Sequence, residues 1–91
     1  MSVVVQFTVK VPDVAKFKAA FDEDKPDMEA DGARNPALYE DENEPGVVSM
    51  IAEWDSHDAM HASSEKRGEE FQAKAGTEGL DWETRIWHKL S

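Results

Sequence analysis

The chain has 91 residues, 40% of them hydrophobic, and its ten Lys and Arg against twenty Asp and Glu give a formal charge of -10. That length makes one domain, the absence of Cys excludes disulfides and thiolate metal sites, and the acidic balance disfavours nucleic-acid phosphates and anionic membrane surfaces as partners. No apolar run reaches the ~18 residues of a membrane span and no signal-peptide pattern is present, so the expected location is cytoplasmic.

Residues 3–10 predict a strand. Val3, Val5, Phe7 and Val9 share one face, Val4, Gln6, Thr8 and Lys10 the other, with the odd face more deeply covered. Pro12 stops the strand and Asp13 supplies a helix N-cap. Val14, Phe17, Phe21 and Met28 follow at helical spacing, with Lys16, Lys18, Asp22 and Glu23 on the solvent side. Pro26 falls inside this pattern and predicts a kink or a fresh start; Asp31-Gly32 closes the helix. Residues 34–41 form a weak strand, with Pro36 arguing for a sheet edge or an irregular start. A polar turn over 41–46 leads to a strand from Val47 to Trp54, with Val48, Met50, Ala52 and Trp54 on its apolar face. Asp55 or Ser56 caps a second helix from His57. Its apolar content is thin, Met60 and Phe71 being its only large apolar members, and Gly68 predicts a break or bend. Ala75-Gly76 ends it, and residues 81–89 make the last strand.

The order β-α-β-β-α-β is the ferredoxin-like pattern of an α+β domain spanning 1–91, an antiparallel sheet with both helices on one face. The other sheet face carries Val4, Val47, Ile51 and Trp87, too apolar for water, so a homodimer through the sheets is expected. Glu53 and Arg85 lie on non-adjacent strands and would pair only across such an interface.

Glu53-Trp54-Asp55-Ser56 running into Ala59-Met60, with Phe7-Thr8-Val9-Lys10 ahead of the first helix, resembles the antibiotic biosynthesis monooxygenase-like family, and in particular its short members labelled as cyclases. The resemblance covers Val3 to about Leu90. It implies a dimeric α+β barrel with a pocket between sheet and helices in each protomer, and activities that include cofactor-free oxygenation of polyphenolic quinone precursors and oxidative haem degradation. The haem degraders' Asn, Trp and His fall on Val5, Ser63 and Ala73 here, so haem degradation is not implied and no cofactor is expected.

Several residues can carry chemistry. His57 and His61, at i and i+4, have the spacing for one metal, but no third ligand is fixed, so no metal site is expected. Flanking Met60, they suit a pocket rim better, with His61 as an acid–base group and His57 as a substrate contact. Arg67 lies close to Met60 on the helical wheel, placed either to hold an anionic substrate group or to pair with a neighbouring acid. Trp54 and Trp82, with Met60, are the candidate walls for a flat ring, and Trp87 is the interface candidate. The second helix offers Ala59, Ala62, Ser63 and Ser64 where the first offers Phe17 and Phe21, so a ligand is expected between the second helix and the sheet. Two function classes fit: a cofactor-free monooxygenase or cyclase acting on a small aromatic or polyketide-like molecule, and a non-catalytic ligand-binding or accessory module on the same fold.

Overall fold

A computed structural model describes residues 2–91. Its elements are β1 (Val3–Lys10), α1 (Val14–Ala30), β2 (Arg34–Glu40), β3 (Val47–Trp54), α2 (His57–Ala75) and β4 (Trp82–His88). The strands form one sheet in the order β2-β3-β1-β4, antiparallel throughout. This is the ferredoxin-like arrangement that the element order predicts.

Valine-rich β1 takes a central place because both of its faces are covered or half-covered. Val5 sits between Ala52 of β3 and Ile86 of β4, and it is 1% exposed. Asp13 caps α1 by accepting from the Lys16 amide at 3.0 Å. Ser56 rather than Asp55 caps α2, accepting from the Ala59 amide at 3.1 Å. Pro36 does lie on an edge strand; the pairing of β2 with β3 slips between Arg34 and Ala37, and Asn35 takes φ 52 within that slip.

The expected fresh start at Pro26 and break at Gly68 are corrected. α1 runs through Pro26 without a new start. Pro26 is on the exposed side, so the carbonyl of Asp22 that loses its donor can be served by water. α2 likewise continues across Gly68 to Ala75. A helix-interior glycine costs only about 1 kcal/mol relative to alanine, and Met60 and Ser63 on one side and Phe71 and Ala75 on the other bury the helix across it.

The core between helices and sheet is divided. One cluster gathers Val9, Val11, Phe17, Ala20, Phe21, Val48, Phe71 and Ala75. A second holds Val3, Val5, Ala33, Ala52, Trp54 and Met60. Met28 packs against both. Phe7, on the inward face between them, is only half-buried, because the α2 residues above it are small.

On the outward face Trp87 and Tyr39 are 51% and 57% exposed. A polar chain crosses this face: Trp87 Nε1 donates to Gln6 Oε1 at 3.3 Å, Gln6 Nε2 to Thr8 Oγ1 at 3.4 Å, and Thr8 and Ser49 share a 2.7 Å hydroxyl contact. Glu53 bonds within the protomer, accepting from Arg34 Nε at 3.1 Å, while Arg34 also pairs with Asp55. No helix among the described residues is long and apolar enough to cross a membrane.

Candidate functional site

The gap between the two core clusters opens as a cleft between α2 and the sheet. It is open at its mouth and walled by Val5, Phe7, Met28, Met50, Trp54 and Phe71. A second hollow shares Phe7, Met50, Ser64, Gly68 and Phe71 with it and extends to Trp82, Gln72 and Thr84. The hollows therefore adjoin, and the wall is largely aromatic and thioether. Phe7 meets Trp82 edge-on at 6.3 Å, and Phe17 braces Phe71 from behind at 5.4 Å, also edge-on.

Two ionisable residues line the first hollow, Asp24 and Arg67. Each occupies a charged place in an otherwise buried helical stripe. Asp24 follows Phe21 by three and precedes Met28 by four, while Arg67 lies between Ser63 and Phe71. Arg67 is fastened across the helix pair. Its Nε and Nη2 donate to the Asp31 carboxylate at 2.6 and 3.3 Å, and its Nη1 lies 3.2 Å from Asp27. Ser63 Oγ donates to the same Asp31 carboxylate at 3.0 Å, and Lys66 stands 4.0 Å from it. The hydrogen bond from Arg67 holds the Asp31 carboxyl below the usual range, against burial and with help from Ser63. Burial pushes the Asp24 carboxyl the other way, above that range, with Arg67 opposing the rise and Asp27 adding to it.

Of the residues singled out in the sequence, Trp54, Arg67 and Trp82 come to the cleft, Trp54 and Arg67 in one hollow and Trp82 in the other. Met60 does not line either hollow; it is buried in the second core cluster and accepts from Ser64 Oγ at 3.5 Å. His57 and His61 are exposed on the first turns of α2, their rings 4.3 Å apart, and neither lines the cleft. Among the described residues no group of three or more His, Cys, Asp or Glu could hold a metal ion. The indole N–H of Trp82 is buried with no partner among the described residues.

Asp24, Asp31, Phe7 and Phe71 escaped the sequence reading. Asp24 had a visible signal, an acid at the vacant fourth position of the stripe Phe17, Phe21, Met28. Asp31 had none beyond its helix-ending role, because its bonds run to the other helix.

Comparison with known proteins agrees with this architecture. The family model for antibiotic biosynthesis monooxygenases matches residues 1–75. Among solved structures, a conserved protein from Methanosarcina mazei superposes with a TM-score of 0.81 at 16% identity, covering 99% of this chain and 94% of that one. Rv0793 from Mycobacterium tuberculosis gives 0.77 at 20% identity over 100% and 97% of the two chains. SnoaB, a cofactor-independent oxygenase from Streptomyces nogalater, gives 0.70 at 22% identity over 99% and 92%. At these identities the likeness is one of fold. No functionally curated protein matches the chain.

Proposed function

The chain belongs to the antibiotic biosynthesis monooxygenase family, and from that premise we propose that it binds a small flat aromatic molecule in the α2–sheet cleft and oxygenates it without a cofactor. The observation that carries this reading is the cleft itself: aromatic and thioether walls, an open mouth, and only two ionisable side chains. Small-molecule sites have this character, mostly apolar with a few fixed polar groups. Trp54, Phe7 and Phe71 supply surfaces for a ring.

Asp24 is the acid–base group of this proposal, in the place first given to His61, because it lines the cleft and His61 does not. Its burial raises the carboxyl toward the range where a carboxylate accepts a proton more readily. Removal of a proton from a phenol leaves an electron-rich anion that reacts with dioxygen directly. A cofactor-independent oxygenase on the same fold supports oxygenation without a cofactor by analogy. Two copies meeting through the outward sheet face complete the proposed assembly; half-buried Val4, Val47 and Ile51 beside exposed Trp87 and Tyr39 favour a covered face.

Oxygen consumption with a panel of polycyclic phenols, in chelator-treated buffer, tests the reading. Uptake that falls with Asp24→Asn supports it. Binding without uptake by the wild-type protein would replace oxygenation with the non-catalytic ligand-binding module.

A further inference from the structure

We infer that the cleft selects neutral, hydroxyl-bearing aromatic molecules and turns away aromatic carboxylates, with Asp31 as the specificity residue that cancels the charge of Arg67. The inference rests on the cleft being the ligand site, as proposed above, and goes on to name what enters it.

An arginine lining an apolar cleft is ordinarily a receptor for a carboxylate or phosphate, since its planar fork matches both. Here that fork is already filled from the protein side. Nε and Nη2 are on Asp31 and Nη1 is on Asp27. Within this cluster two cations, Arg67 and Lys66, face three carboxylates, Asp24, Asp27 and Asp31. Lys74, the next cation along α2, is taken by Glu23 and Glu70 at 3.1 and 3.3 Å. The surroundings of the cleft thus carry a surplus of negative charge, within a chain of net charge -10.

Asp24 makes the surplus felt by a ligand. Its carboxylate lines the cleft and has no ion-pair or hydrogen-bond partner among the described residues. Such a group accepts a hydrogen bond from a phenol and repels a carboxylate placed beside it. Asp31 does its work from outside the cavity. By holding the guanidinium it leaves Arg67 a wall and a brace between the helices, and Ser63, donating to the same carboxylate at 3.0 Å, keeps Asp31 turned toward that duty.

Two probes of one shape separate the possibilities. β-Naphthol stays protonated near neutral pH, as tyrosine does with its pKa of about 10, whereas β-naphthoate is ionised, its carboxyl titrating near about 4. Calorimetric titration of the full chain should show β-naphthol bound at least about tenfold more tightly than β-naphthoate, the effect of one unfavourable charge contact in a partly screened site. Asp31→Asn keeps an acceptor for Ser63 and removes one of the two carboxylate charges that compensate Arg67, Asp27 remaining, so β-naphthoate affinity should rise about tenfold while β-naphthol affinity stays within about threefold. Asp24→Asn, with no ion pair to break, should narrow the preference from the other side by weakening β-naphthol. A merely structural Asp31 would weaken both probes together and leave their ratio unchanged. The inference is overturned if the wild-type protein binds β-naphthoate as well as β-naphthol, or if neither substitution moves the ratio. Amide shifts at Gly68 and Phe71 in an NMR titration keep the two readings apart. If β-naphthoate binds and shifts them, the cleft stands and the charge rule falls. If neither probe binds, the cleft reading and this inference fall together.

Discussion

Gly68 gives the sharpest test of both the helix and the cleft. A Cβ built on it meets nothing within 4 Å, its φ carries no left-handed strain, and it lies inside the continuous α2. Gly68→Ala should therefore recover the helix-propensity difference, about 0.8–1 kcal/mol, with no packing loss to set against it. For a domain of this size that raises the melting temperature by roughly 4–8 °C. Gly68→Leu keeps most of the propensity gain and adds a branched side chain to the open space that both hollows share. Binding of β-naphthol, read by calorimetry, should be lost in Gly68→Leu and nearly unchanged in Gly68→Ala, with both variants folded by circular dichroism. If Gly68→Ala lowers the melting temperature, α2 does not continue through this position and the cleft geometry is wrong. If Gly68→Leu binds like wild type, the ligand sits elsewhere.

Acid should act through Asp31 with a definite sign. Its folded-state carboxyl is held low, so its stabilising effect is complete above the unfolded value of about 3.9 and is lost as pH falls through the lower folded value; urea midpoints should drop less steeply below about pH 4 in Asp31→Asn than in wild type. Asp24 has the opposite sign, its carboxyl raised by burial, so Asp24→Asn should raise the urea midpoint at neutral pH and leave it unchanged in acid. Thr77, 0% exposed, has a hydroxyl with no partner among the described residues; Thr77→Val should stabilise by about 1 kcal/mol in equilibrium urea unfolding. Light scattering should give about twice the 10.2 kDa chain mass, and Trp87→Lys should shift the population toward monomer. A wild-type monomer over a wide concentration range would refute the sheet-face assembly.

Most of the fold was legible because its signals are local. The odd-numbered valines of β1 face the helices, and Asp13 and Gly32 bound the first helix where capping chemistry places them. The continuity of the helices through Pro26 and Gly68 has one cause. Glycine disfavours a helix interior by about 1 kcal/mol and proline by about 3 kcal/mol, and burial of Phe17, Ala20 and Phe21 in one case and Met60, Ser63 and Phe71 in the other outweighs them. Local propensity is a weak prior wherever a helix has a buried face to anchor it.

The site was harder, and the reason is physical rather than statistical. Helical spacing tells which residues of one helix point inward, and it marks Arg67; Trp54 and Trp82 follow instead from strand alternation. It does not say what an inward charge will meet. Arg67 meets Asp31 from the end of the other helix, 36 residues earlier in the chain, and that contact changes its meaning from a receptor for anions to a structural cation. The same helix pairing leaves Asp24 as the ionisable side chain of the cleft with no such partner. A half-buried carboxylate without a partner carries a desolvation cost, and its place at a stripe position where leucine or methionine would pack better is the strongest indication that the cleft suits a ligand with a proton to share. Asp24→Leu should make that cost visible: urea unfolding should show a more stable protein, and calorimetry should show one that no longer prefers β-naphthol. A variant that was both more stable and an equally good β-naphthol binder would leave the carboxylate with no functional reason to be there.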